Sequence, residues 1–255
     1  MDIPTLPEER RQQILEFLLQ EGKVVATNLS QTLQVSEDTI RRDLRELDEA
    51  GLLTRVHGGA LPRSPGVPSY AIRQGRNVSA KVGIAKRAAQ LVRSGQLVIL
   101  DSGTTTEEVA RQLPRELEAT FVTNSPGIAL ALSELPRVDV IMTGGKLDKT
   151  SQVLSGAATL DSLHNFRADL CLLGICSLHP EAGVTALEYE EAQVKRAMVL
   201  NTADVVALST AEKLGTAAPY VVSPLSELTQ IITERNVSDE TLTPYKELGL
   251  TVTRA

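Results

Sequence analysis

Tryptophan is absent, and cysteine occurs only at Cys171 and Cys176, inside the apolar run LCLLGIC. Two thiols so placed exclude a disulfide-stapled framework and read as small, reduced core side chains. His57, His164 and His179 lie too far apart for the close ligand spacing of a zinc or iron site, so no metal is implied. No apolar run approaches the length of a membrane span, about 18 to 20 residues. The opening MDIPTLPEERRQQ carries acids and prolines where a secretory signal needs a basic start and an apolar core. A soluble cytoplasmic protein is expected. The most informative scarcity is acid in the middle of the chain. The formal charge is -6, yet residues 1–49 hold 6 basic and 11 acidic side chains, residues 50–100 hold 8 and none, and residues 101–255 hold 12 and 21. An anionic partner can therefore be met locally, while the acidic remainder limits unspecific adhesion. At 255 residues, a small domain plus a medium one is expected rather than one large domain.

Within residues 8–20, Ile14, Leu15, Leu18 and Leu19 recur at helical spacing and Gly22 supplies a stop. ATNLSQTL predicts a short second helix, and QVS a tight connection to a third. Ser36 is placed to cap that third helix, with Glu37 and Asp38 at its positive end. Ile40, Leu44 and Leu47 form one buried stripe, which leaves Thr39, Arg41, Arg42 and Arg45 facing outward. Such a helix suits the major groove of double-stranded DNA, where arginine pairs with guanine edges or clamps phosphates. The alternative is a solvated face, but the acid pairing along it (Asp38 with Arg42, Arg45 with Glu49) is only partial. After Gly51, LLTRVHGGA reads as a two-stranded wing, with Arg55 and His57 placed to touch backbone or minor groove and Gly58 and Gly59 permitting its turn.

The run VVATNLSQTLQVSEDTIRRDLRELDEAGLLTRVHGGA resembles the winged helix-turn-helix of the DeoR family of bacterial transcription regulators. Ser36, Thr39, Ile40, Arg41, Arg42 and Asp43 match its recognition helix, and Arg55, His57, Gly58, Gly59 and Ala60 its wing. The resemblance implies sequence-specific DNA binding by residues 1–60, with residues 24–43 the helix-turn-helix proper. Residues 61–78, with Pro62, Pro65 and Pro68 and no apolar period, read as a linker. Its arginines Arg63, Arg73 and Arg76 suit phosphate contacts and plain solubility equally, and no role is assigned to them.

Residues 79–255 alternate strand-like runs (96–101, 119–124, 138–145, 170–175, 204–209, 230–234) with helical patterns (80–93, 105–113, 125–134, 156–164, 188–202). That order predicts an α/β domain, a doubly wound and mostly parallel sheet whose ligands sit at the carboxyl ends of the strands. After the first strand, DSGTTTEEVA sets Gly103 among the hydroxyls of Ser102, Thr104, Thr105 and Thr106 at a helix start, a ready phosphate cradle as well as more than an ordinary cap requires. Thr123 and Asn124 end the second strand and Gly144 and Gly145 the third, on the same edge. No full dinucleotide or triphosphate fingerprint is present, which disfavours an adenine nucleotide or other cofactor. Taken alone, Glu191 and Lys195 read as a surface i,i+4 pair.

The resemblance extends here. DeoR effector domains, similar in fold to ribose-5-phosphate isomerase, typically sense phosphorylated sugars. Their motifs match at Asp101, Gly103, Thr104, Thr105, Thr123, Asn124, Gly144, Gly145, Asp169, Gly174, Glu191, Lys195 and Lys213. Thr210 and Leu214 stand where the family usually has Asp and Phe, a departure within the implied effector pocket. The expectation is a homo-oligomeric repressor of a carbohydrate operon, released from its operator by a phosphorylated sugar. Its rivals are a sugar-phosphate isomerase with Glu191 as base and an accessory DNA module, and a winged helix used for protein contacts.

Overall fold

The computed structural model describes residues 6–64, 66 and 69–255; the linker prolines Pro65 and Pro68 and the first five residues of the opening stretch lie outside the described residues. The first helix, α1 (Pro7–Glu21), begins on a proline and stops at Gly22, which takes the left-handed conformation. There follow β1 (Val24–Val25), α2 (Ala26–Thr32) and α3 (Glu37–Glu49), whose third amide donates to the Ser36 hydroxyl at 3.2 Å. Ile40, Leu44 and Leu47 are buried against Ile14, Leu18 and Leu29, as their spacing predicts. One link was not anticipated. Asp43, on α3, is buried and accepts from the Arg10 guanidinium of α1 at 2.5 and 3.1 Å, a two-pronged clamp between the helices.

The wing consists of β2 (Leu53–Val56) and β3 (Gly59–Pro62), antiparallel and joined at His57 and Gly58; β1 adds a third strand on the far side of β3. Gly59 is where β1 and β3 come closest, and a Cβ there would lie 2.0 Å from the Val24 carbonyl oxygen. Its identity is set by this packing.

Helix-free linker was expected over 61–78. Leu61 and Pro62 belong to the wing, and Tyr70–Gly75 form a short helix, α4. Six residues are too few to show a period. Tertiary contact holds α4 in place, since Tyr70 is buried and its amide donates to Thr150 O at 3.0 Å.

The larger unit then runs α5 (Val78–Ala89), β4 (Leu97–Leu100), α6 (Thr104–Gln112), β5 (Ala119–Thr123), α7 (Pro126–Leu132), β6 (Val138–Met142), β7 (Lys146–Asp148), β8 (Val153–Ser155), α8 (Ala157–His164), β9 (Ala168–Gly174), β10 (Ser177–His179), β11 (Gly183–Ala186), α9 (Tyr189–Leu200), β12 (Thr202–Ser209), β13 (Tyr220–Ser223), β14 (Gln230–Thr233), α10 (Asp239–Glu247) and β15 (Thr251–Arg254). Seven strands form one sheet in the order β15-β14-β12-β9-β4-β5-β6, and every adjacent pair is parallel. Alternate residues feed two cores. Ile99, Val122, Cys171 and Ala207 pack with α8, α9 and α10, while Val98, Leu100, Phe121 and Leu172 pack with α5, α6 and α7. The chain winds outward from β4 through β5 to β6, then returns to β9 on the other side. The resulting reversal between β4 and β9 is the position where such sheets open a crevice. The β7–β8 hairpin, the antiparallel β10-β11-β13 sheet, α10 and the edge strand β15 were not anticipated from the sequence.

Replacing Asp43 by alanine strands the buried Arg10 charge, and the domain should lose about 3 kcal/mol, the scale for breaking a buried pair. Urea denaturation followed by circular dichroism measures this, and a loss under about 1 kcal/mol would mean the clamp is not structural.

Candidate functional site

At the reversal, the carboxylate of Asp101, directly after β4, accepts from the amide of Gly174 at the end of β9 at 2.9 Å. A Cβ on Gly174 would meet Ser102 O at 2.8 Å, so only glycine lets the two strand ends approach in this way. The Lys195 ammonium reaches up from α9, donating to Asp101 and to Gly174 O at 2.9 Å, with Glu191 3.4 Å away. Burial works against the lysine charge, but Asp101 and Glu191 outweigh it and hold Lys195 above its ordinary value. Glu191 and Lys195 are therefore not a surface pair: Lys195 is 3 % exposed and spans three elements.

Next to this pair α6 begins. Gly103 precedes its first residue and no side chain caps its first amides. Ser102, Gly103, Thr104 and Thr105 line a cavity of about 120 Å³, which shares Ser102, Glu191 and Lys195 with a larger hollow of about 830 Å³. Thr106 also lines the cavity, but its hydroxyl is spent on Gly103 O at 2.8 Å. Lys213 closes another side and donates to Ile175 O at 2.6 Å. Burial, reinforced by the nearby cations Arg73 and Lys195, pushes Lys213 down to about 8. Amides at a helix start together with buried ammonium groups suit a small anion.

Not every expected residue arrives here. Asn124 lines the larger hollow, its amide nitrogen donating to Leu154 O at 3.1 Å and its oxygen buried without a partner. Thr123 is fully buried and accepts from the Ser125 amide, so it shapes the turn after β5. Gly144 and Gly145 line none of the cavities described; the Gly144 carbonyl accepts from Thr159 Oγ1 at 2.7 Å, anchoring the passage from β6 to α8. Cys171 is core, as expected, but Cys176 lines the cavity, as do Thr210 and Glu212. Thr210, one of the two departures from the family pattern, thus stands at the site, whereas the other, Leu214, packs into the core. Also missed were Arg73, Arg76 and Lys81, all at the cavity. Their signal was the acid-free stretch of residues 50–100.

On the other unit, Arg42 and Arg45 are exposed on α3 and make no ion pair among the described residues. Arg41 is held by Glu37 at 2.8 Å and Asp38 at 3.6 Å. The hydroxyls of Ser36 and Thr39 lie 2.9 Å apart at the exposed start of the helix. Arg55, His57 and Gly58 form the exposed tip of the wing, while Gly59 is buried, so its part is to shape the wing rather than to touch a partner. No group of three or more metal-ligating side chains occurs among the described residues, and none of their helices is long and apolar enough to cross a membrane.

Comparison with known proteins matches residues 10–65 to the DeoR-like helix-turn-helix domain and residues 76–235 to the DeoR C terminal sensor domain. The HTH-type transcriptional regulator GlpR of Haloferax volcanii is 36% identical, covering 97% of each chain. The glycerol-3-phosphate regulon repressor of Escherichia coli K12 is 32% identical over 89% of this chain and 90% of its own. Among solved structures, ribose 5-phosphate isomerase A of Methanocaldococcus jannaschii aligns over 54% of each chain at 18% identity, with a TM-score of 0.39.

Two outcomes follow from the site geometry. Lys195→Met leaves Asp101 buried without its cation and should cost about 3 to 5 kcal/mol in a denaturation curve; a stability equal to the parent would mean that the pair holds nothing together. Sulfate, dianionic throughout, should bind best below pH 8, where Lys213 is charged. Above that its affinity should fall, approaching roughly tenfold per pH unit, and a flat calorimetric profile between pH 7 and 9 would exclude Lys213 as an anion contact.

Proposed function

The chain belongs to the DeoR family and is a DNA-binding transcriptional regulator rather than an enzyme, and from that premise we propose that it is a cytoplasmic homo-oligomeric repressor of a carbohydrate operon, released by a phosphorylated sugar. The observation that carries the effector reading is the cavity at the sheet reversal, lined by the uncapped start of α6 with Ser102, Thr104 and Thr105, and by Lys213. A phosphate group matches them in charge and in its number of acceptors. The name of the Escherichia coli relative supports both repression and a phosphorylated small polyol. On the DNA side, Arg42 and Arg45 enter the major groove on α3, with Ser36, Thr39 and Arg41 at its start, and Arg55 and His57 follow the backbone from the wing. Two-fold symmetry would place two such helices about one helical turn apart on the operator. The effector must bind the DNA-incompetent arrangement more tightly, and DNA must weaken effector binding by the same factor.

Fluorescence anisotropy on the upstream region of the protein's own gene tests the DNA half. Binding should weaken steeply with salt, and Arg42→Ala should lose at least tenfold in affinity, a scale of 1 to 3 kcal/mol for a specific base contact (~). Equal affinity of parent and variant for that region and for random DNA would overturn the assignment. A panel of glycerol 3-phosphate, glucose 6-phosphate and fructose 6-phosphate tests the effector half, through melting temperature and through release of bound DNA. The absence of any shift with all three and with sulfate would count against the phosphate reading.

A further inference from the structure

The eight basic residues of the acid-free middle segment are unevenly placed, and three of them come to the cavity: Arg73 on α4, Arg76 directly after it, and Lys81 in the first turn of α5. Arg76 is exposed, whereas Lys81 and Arg73 are held in place. Lys81 is 8 % exposed, and its ammonium donates to the Arg73 carbonyl, tying α5 to the linker helix. The Arg73 guanidinium lies 5.6 Å from the centroid of the Tyr70 ring, itself buried in the larger unit. Lys81 and Thr104, the first residue of α6, also share an adjoining hollow with Glu107 and Glu108, which sets Lys81 beside the start of α6. The smaller cavity is lined by five basic side chains, Arg73, Arg76, Lys81, Lys195 and Lys213, against two acidic ones, Glu191 and Glu212, and Lys195 is paired with Asp101. Burial lowers both Arg73 and Lys81 from their ordinary values, and the Arg73 charge lowers Lys81 further, against the pull of Glu191 on Arg73 and of Glu212 on Lys81.

We propose that the end of the linker is a wall of the effector site: Arg73 and Arg76, with Lys81 of the adjoining α5, hold the effector's phosphate together with the amides that open α6, so that the bound ligand fastens the linker's end to the sensor domain. This rests on the reading of the cavity as a phosphorylated-sugar site. It adds that the recognition residues lie partly outside the seven-stranded domain, on the segment leading to the wing. That segment is joined to the cavity at a second point. Ser64 N donates to Ala217 O at 2.9 Å and Ala217 N to Pro62 O at 3.0 Å, and Ala217 ends the loop that carries Thr210, Glu212 and Lys213.

The experiment uses the full chain, with sulfate and with whichever of glycerol 3-phosphate, glucose 6-phosphate and fructose 6-phosphate binds it most tightly. Arg76→Gln and Lys81→Gln should each weaken calorimetric binding of both probes at least tenfold. Arg93→Gln, an equal loss of charge at an exposed position away from the cavity, should change it less than twofold. Arg76 is exposed, so its variant should keep the parent's melting temperature, which separates lost contact from lost fold. Independently, the ester should slow trypsin cleavage after Arg76 at least fivefold in the parent protein. Binding by the parent with Arg76→Gln and Lys81→Gln both within twofold, or with unchanged cleavage, overturns the linker wall and leaves the phosphate reading standing. No binding of any probe by the parent overturns both.

Discussion

An ammonium group and a carboxylate, both withdrawn from water where the sheet reverses, set the shape of everything around the cavity. Taking two charges out of water costs several kcal/mol each, and their attraction offsets that only when further hydrogen bonds satisfy the remaining atoms. Here they do, since Asp101 also accepts from Gly174 N and Lys195 also donates to Gly174 O. The ends of β4 and β9 and the middle of α9 are thereby locked to one another. The pair contributes geometry more than net stability, a pattern known for buried ion pairs that specify one arrangement among several. Its internal neutrality has a second effect: the other charges at the cavity are Lys213, Arg73, Arg76 and Lys81 against Glu191 and Glu212.

The two units meet where those charges lie. Thr54 of the wing donates to Ala217 O at 3.1 Å, the Arg63 strand end pairs with Ala217, and Lys23 bridges to Glu181. The 210–217 loop therefore has the cavity at one end and the base of the wing at the other. Gly215 N, between them, donates to the Tyr245 hydroxyl at 2.9 Å, and that hydroxyl donates to Leu178 O at 2.7 Å, so the middle of the loop is pinned to the core. The polar contacts at Ala217 are few enough to be rearranged at a cost of about 1 kcal/mol each, the scale on which an effector's differential binding operates.

Legibility followed element length and periodicity. Six parallel strands and five of the helices around them could be read because strands buried on both faces form unbroken apolar runs and their helices repeat at 3.6. The strands β7, β8, β10, β11 and β13 are three or four residues long and carry no such pattern. On β15, the edge strand, TVTR buries little and looks like coil. At the site, the hydroxyl run after β4 was visible because its spacing is local. Asp101, Glu191, Lys195 and Lys213 were singled out chiefly by family resemblance, since the contact between residues 94 positions apart leaves no trace in spacing. Asp43 was legible only as a matching position of the recognition motif, and its partner Arg10, 33 positions away, left no trace in spacing either.

The linker arginines were unreadable for a different reason. A basic side chain in a proline-rich segment has the same appearance whether it is solvated or presented to a cavity, and only the path of α4 decides. The acid-free stretch nevertheless makes sense once that path is known. Acids close in sequence would pair with these cations locally, as Glu37 and Asp38 do with Arg41, whereas the acids that do reach the cavity, Glu191 and Glu212, come from distant segments. The same rule separates the arginines of α3, where Arg41 is held by its own helix and Arg42 and Arg45 stay available for a partner. On α3 the cations without an acid of their own among the described residues are Arg42 and Arg45, and their exposure leaves them open to an anion from outside.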